Sequence, residues 1–125
     1  MDIKEDIKTE ENIKTLIYAF YDIVRKDELL SPIFNEVIKK DWDTHLETMC
    51  RFWSTMLLYS RTYKGDPMSK HIPLILSNEH FERWFLLFTE TVDKLFQGKT
   101  ANDAKRAAEN IGRIMQKVKG INTKN

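Results

Sequence analysis

Apolar side chains recur every three or four residues through most of this chain, which is the spacing of a buried helical face. Ile13, Leu16, Ile17, Phe20, Tyr21 and Val24 make the first such face. Thr9 offers a hydroxyl cap, and Glu10 and Glu11 suit the positive end of a helix dipole, so a helix is predicted from Thr9 to about Arg25. Ser31-Pro32 puts a cap before a proline and opens a short turn or helix through Ile33-Phe34-Asn35, with Phe34 as an apolar plug. Asp41 or Asp43 caps a further helix that runs to about Tyr59. Its stripe is His45, Met49, Phe52 or Trp53, and Met56, with Leu46, Cys50 and Leu57 beside it. Ser77 starts another helix, whose face is Phe81, Trp84, Phe85, Phe88, Val92, Leu95 and Phe96 and which Gly98 ends. Thr100 with Asp103 resembles a capping box for the last helix, with Ala104, Ala107 or Ala108, Ile111, Ile114, Met115 and Val118 facing inward.

Between these helices lies Tyr63-Lys-Gly-Asp-Pro-Met-Ser-Lys-His-Ile-Pro73. Gly65 can turn the backbone, Asp66 caps, Pro67 fits the first helical position and Pro73 stops the helix. The product is a stub of one or two turns that carries one imidazole, His71, and that must dock to persist. Helical periodicity with long glycine-free and proline-free stretches makes the fold all-α. Residues 1–8 read as a flexible leader, 9–119 as one domain and 120–125 as a frayed tail.

The 125 residues suffice for one core, and the balance of 42% hydrophobic and 31% charged residues is that of an ordinary globular domain. A net charge of +1 argues against nucleic acid as the main partner, and Lys105, Arg106, Arg113, Lys117 and Lys119 read as a solvated helix face. No apolar run reaches the length of a membrane span, and the charged N-terminus lacks the apolar centre of a signal peptide. A single cysteine, Cys50, rules out an internal disulfide and fits a reducing compartment, so the expected location is cytoplasmic.

Several chemistries lack their residues. There is no His-Glu-x-x-His, no glycine-rich phosphate loop and no Cys-x-x-Cys, and no histidine has a glutamate three residues before it. Cys50 lies mid-helix on an apolar stretch, a poor setting for a thiolate. What remains is an aromatic-rich core with two histidines, His45 and His71, on separate elements. A bulky flat ligand held by one axial imidazole would use that arrangement, and non-covalent haem is such a ligand.

The run Phe20-Tyr21 through Arg25-Lys26-Asp27, then Leu30-x-Pro32-Ile33-Phe34-Asn35, resembles the B and C helices of truncated haemoglobins. The continuation His45-Leu46, Met49, Phe52-Trp53, Tyr63-x-Gly65-x-Pro67-x-x-x-His71 and Phe81-x-x-Trp84-x-x-x-Phe88 resembles the group III branch specifically. The likeness spans about residues 10–118. It lacks the glycine pairs of group I, as group III does, and shows no separate helix before Thr9.

This resemblance implies a two-on-two helical sandwich around haem b. It makes His71 the iron ligand, and Tyr21, His45 and Trp84 the distal residues that meet a bound ligand. Phe34 would pack on the haem face, Met49 and Phe52 or Trp53 would line the pocket, and Tyr63 and Lys70 would lie near the haem carboxylates. Expected ligands are O2, NO, CO or cyanide, with O2 released slowly from a monomer. His45 would either swing as a gate or join the donors. An enzymatic reading, NO dioxygenation or peroxide reduction, uses the same residues and needs an external reductase. The alternative is a ligand-free helical interaction module, which would gain nothing in melting temperature from haem.

Overall fold

Thr9 caps the first helix as its sequence suggests, and Asn12 completes the box. The Thr9 hydroxyl accepts from the Asn12 amide at 3.1 Å, while the Asn12 side chain accepts from the Thr9 amide at 3.1 Å. The computed structural model describes residues 4–38, 41–60 and 78–119, the side chains of residues 37 and 115–119 excepted. These form helices α1 (Glu10–Lys26), α2 (Ser31–Ile38), α3 (Trp42–Leu58), α4 (Asn78–Leu95) and α5 (Lys99–Lys119). All regular elements among the described residues are helical.

Helix α1 packs on α3 and on α4, and α4 packs on α5, so two helix pairs enclose one core. The inward face of α1 is the predicted one: Ile13, Leu16, Ile17, Phe20, Tyr21 and Val24 are all buried. Phe20 and Phe88 are the largest fully buried side chains, and their rings meet edge to face at 5.1 Å across α1 and α4. Burying each stabilises the fold by about 2 kcal/mol.

Two features depart from the sequence expectation. Met56, placed on the buried stripe of α3, is 39% exposed. Leu57 beside it is buried instead, and α3 ends at Leu58, two residues after Met56, with Tyr59 in a left-handed conformation (φ 61°). The second departure is the start of α5. Asp103 does not close a capping box; it pairs with Lys99 and Arg106. The cap comes from residues 4–8, read as a loose leader. Asp6 accepts from the Thr100 and Ala101 amides at 2.9 and 2.8 Å, Glu5 accepts from the Gln97 amide at 2.9 Å, and Ile7 is 1% exposed. Burial pushes the Asp6 carboxyl up, but the amides of Thr100, Ala101 and Ile7 outweigh it and hold it below the usual carboxylate range. Gly98 (φ 137°) belongs to this junction, because a Cβ there would sit 2.5 Å from Asp6 Cγ.

The far end of the α1–α3 contact is polar. Ser54 is fully buried, and its hydroxyl lies against the Glu10 carboxylate and the Ser60 hydroxyl. Its one proton goes to the carboxylate, and it accepts from Ser60. Cys50, one turn earlier, is half-buried, and burial leads in pushing its thiol up to about 11. It stays a neutral thiol at pH 7, in keeping with an inert packing role.

Candidate functional site

Tyr21 lies in the middle of α1 and is 3% exposed. A phenol this deep ordinarily gives its hydrogen to a carbonyl. Among the described residues, none accepts from or donates to the Tyr21 hydroxyl. Burial, with a smaller contribution from Cys50, pushes its pKa well above the usual tyrosine value, so it is a neutral donor at every physiological pH. Its ring meets Phe20 at 4.8 Å, Phe34 at 6.2 Å and His45 at 5.0 Å. An O–H on a buried ring that is spent on no described residue is available to a ligand.

His45 stands at the head of α3, one turn after Trp42. Its ring is perpendicular to both the Tyr21 and Trp42 rings, with centroids 5.0 and 5.7 Å away, and its Nε2 is shielded from solvent. Helix α2 brings Phe34 to the same place, 4% exposed. Tyr21, Phe34 and His45, drawn from three helices, thus converge on one place.

Trp84 joins them through Phe20, whose ring it meets edge to face at 6.1 Å. It stacks on Phe88 at 5.9 Å, and Phe88 stacks on Trp53 at 4.9 Å. Trp84 is half-buried, and among the described residues nothing accepts from its indole N–H. Trp53 is thereby a core stacking partner, with Phe52 edge-on to it at 5.4 Å. Met49 is buried between His45 and this pair on the same helix. Tyr63, Lys70 and His71 lie outside the described residues, and so does the stub that carries them.

Three residues of this neighbourhood escape the sequence reading. Trp42, 6% exposed, holds its indole N–H to Asn35 Oδ1 at 3.2 Å and carries the Arg25 guanidinium over its ring at 4.6 Å. Asp27 and Arg83 tie the end of α1 to α4 directly beside Trp84. Arg83 Nε and Nη2 both reach Asp27 Oδ1 at 2.8 Å, while the Leu29 and Leu30 amides donate to Oδ2. Burial raises the Asp27 carboxyl, but Arg83 and those amides outweigh it and hold it below its ordinary range. An Arg on the helix surface gives no sequence signal of such a pair. Trp42 does signal itself, as an aromatic three residues before His45 on the same stripe.

Among the described residues no group of histidine, cysteine and acidic side chains is arranged to hold a metal, and no helix is long and apolar enough to cross a membrane. The donor set fits an apolar ligand that develops negative charge: two hydrogen donors, an imidazole and aromatic walls, with no carboxylate among them. Haem carrying a diatomic ligand is of that kind.

Comparison with known proteins agrees. The model of the bacterial-like globin family matches residues 3–119. The chain is similar to the group 3 truncated haemoglobin of Campylobacter jejuni, 34% identical over 118 residues that cover 91% of this chain and 93% of that protein. The crystal structure of a group III truncated haemoglobin from Campylobacter jejuni superposes with a TM-score of 0.85, covering 93% of this chain and 94% of that one.

Proposed function

This chain belongs to the bacterial-like globins, in the group III truncated haemoglobin branch, and on that premise we propose a haem b protein that binds O2 and related diatomics and lets them go slowly. Haem, when bound, supplies an iron that takes O2, NO, CO or cyanide. His71 would hold that iron through one ring nitrogen and give its other N–H to a backbone carbonyl. Phe34, Met49, and Phe52 or Trp53 would supply apolar walls that keep water from the ligand, and Tyr63 and Lys70 would lie near the haem carboxylates. Tyr21 and Trp84 would donate hydrogen to the ligand, and His45 would close the side between Tyr21 and Trp42.

One observation carries this reading: the Tyr21 side chain is 3% exposed, and its hydroxyl is spent on no described residue. Its hydrogen is therefore available to a ligand held beside it, where a bond to a charged acceptor contributes about 1.5–3 kcal/mol. Two such donors on a partly anionic ligand slow its release by on the order of a hundredfold. Slow release suits reaction of the held ligand, as in NO or peroxide removal, with electrons from a separate reductase, better than it suits transport.

The test is the absorption spectrum of the purified protein titrated with haem. A Soret band saturating at one haem per chain is expected, and His71→Ala should lose the spectrum of a histidine-ligated haem. Absence of the band, or a His71→Ala spectrum identical to the parent's, would sink the proposal.

A further inference from the structure

We propose that Trp42 is a positioning residue, a backstop held by Arg25 and Asn35 that keeps the His45 ring against Tyr21. This rests on the reading of Tyr21 and His45 as the ligand-facing side of the site.

The geometry is that of a ring clamped from three elements. Trp42 opens α3, with its indole N–H bonded to Asn35 of α2 at 3.2 Å and one ring face under the Arg25 guanidinium of α1 at 4.6 Å. With 6% of its surface exposed, it has little room to turn. His45 lies three residues on, so the two side chains are neighbours on one helix face. The imidazole stands perpendicular to Trp42 on one side and to Tyr21 on the other. Such edge-to-face pairs are favourable beyond simple burial. To swing away from Tyr21, His45 must give up one contact and displace the other ring. Tyr21 is fixed in the core of α1, so Trp42 is the movable one of these two rings, and it is itself held by an exposed arginine and an exposed asparagine.

The consequence is that surface residues govern how readily the ligand side opens. Freeing Trp42 lets His45 leave its place more often, which raises ligand entry by about 2- to 10-fold, the range expected from losing one aromatic pair.

The experiment uses haem-loaded protein in its diamagnetic ferrous CO form, with histidine labelled at Cε1. Ring motion of His45 is read by carbon relaxation dispersion, and CO association by flash photolysis. Arg25→Gln, which leaves the core untouched, and Trp42→Leu should both broaden the His45 signal and speed CO association. Trp42→Phe, which keeps an aromatic edge, should restore most of the parent behaviour. Parent-like dispersion and parent-like CO rates in both Arg25→Gln and Trp42→Leu would overturn the backstop. Tyr21→Phe serves as the separate control. If it accelerates O2 release while the other two variants change nothing, the backstop alone fails. If it leaves O2 release unchanged, the reading of the site fails and takes the backstop with it.

Discussion

Removing the Tyr21 hydroxyl should move stability and ligand retention in opposite directions. Tyr21→Phe deletes one oxygen from a side chain that is 3% exposed and bonded through that oxygen to no described residue. The ring contacts to Phe20, Phe34 and His45 all survive. An idle buried donor costs about 1–3 kcal/mol, less whatever a trapped water recovers, so the ligand-free variant should be more stable by up to about 1 kcal/mol. With O2 bound the same hydroxyl donates to a partly charged acceptor, a bond of about 1.5–3 kcal/mol. Its loss should raise the O2 dissociation rate by about tenfold to a hundredfold. Denaturant unfolding of ligand-free protein gives the first quantity, and stopped-flow displacement of O2 by CO gives the second. A variant that is less stable by more than about 1 kcal/mol and releases O2 at the parent rate would show that the hydroxyl serves the fold.

Trp84→Phe should also speed O2 release, but with lower ligand-free stability, because the indole stacks on Phe88 at 5.9 Å and a smaller ring leaves space there. Arg83→Leu should cost about 1 kcal/mol at pH 7, a figure kept small because the Arg83 side chain is 44% exposed and its pair with Asp27 is partly screened. The folded carboxyl of Asp27 lies below its unfolded value, so its contribution is complete above the ordinary carboxylate range and fades as pH falls through the folded value. Urea midpoints measured down to about pH 2 should therefore show the gap between parent and Arg83→Leu narrowing as the pH falls, with the variant's acid decline the shallower of the two. Gly98→Ala should destabilise by about 1–3 kcal/mol, since φ is 137° and the new Cβ lies 2.5 Å from Asp6 Cγ. The double variant Asp6→Ala, Gly98→Ala should cost less than the sum of the two by thermal unfolding, because the contacts with Asp6 Cγ and Oδ2 at 2.5 and 2.6 Å are relieved and only that with Cβ at 2.8 Å remains.

Periodicity made most of the architecture legible. The six apolar residues read as the face of α1 are the six buried there, because an amphipathic helix advertises its inner side in every turn. The failures have a common cause, which is reach along the chain. The cap on α5 is supplied from Asp6, 94 residues before Thr100, while the local candidate, Asp103, is drawn away by Lys99 and Arg106. The Asp27–Arg83 pair spans 56 residues and so carries no local pattern. Met56 is the exception: it is exposed while the next residue, Leu57, is buried, and apolar spacing alone does not choose between two adjacent apolar side chains.

The candidate site shows where a sequence stops being informative in a more instructive way. Tyr21, Trp53 and Trp84 look alike on paper, as large aromatics on apolar helical faces, and packing alone does not separate them. Hydrogen-bond accounting does. Trp42 spends its indole N–H on Asn35 and so reads as a support. Tyr21 spends its hydroxyl on nothing among the described residues, and nor does Trp84 spend its N–H. Folding favours spent polar groups in a core, so two donors beside one aromatic cluster that meet no described residue are candidates to pair with a ligand. They lie in ring contact with His45 and Phe20, and a ligand able to accept both hydrogens would use them. The same accounting separates the residues whose replacement should weaken the fold, Trp42, Asp27 and Arg83, from the one whose replacement should strengthen it, Tyr21.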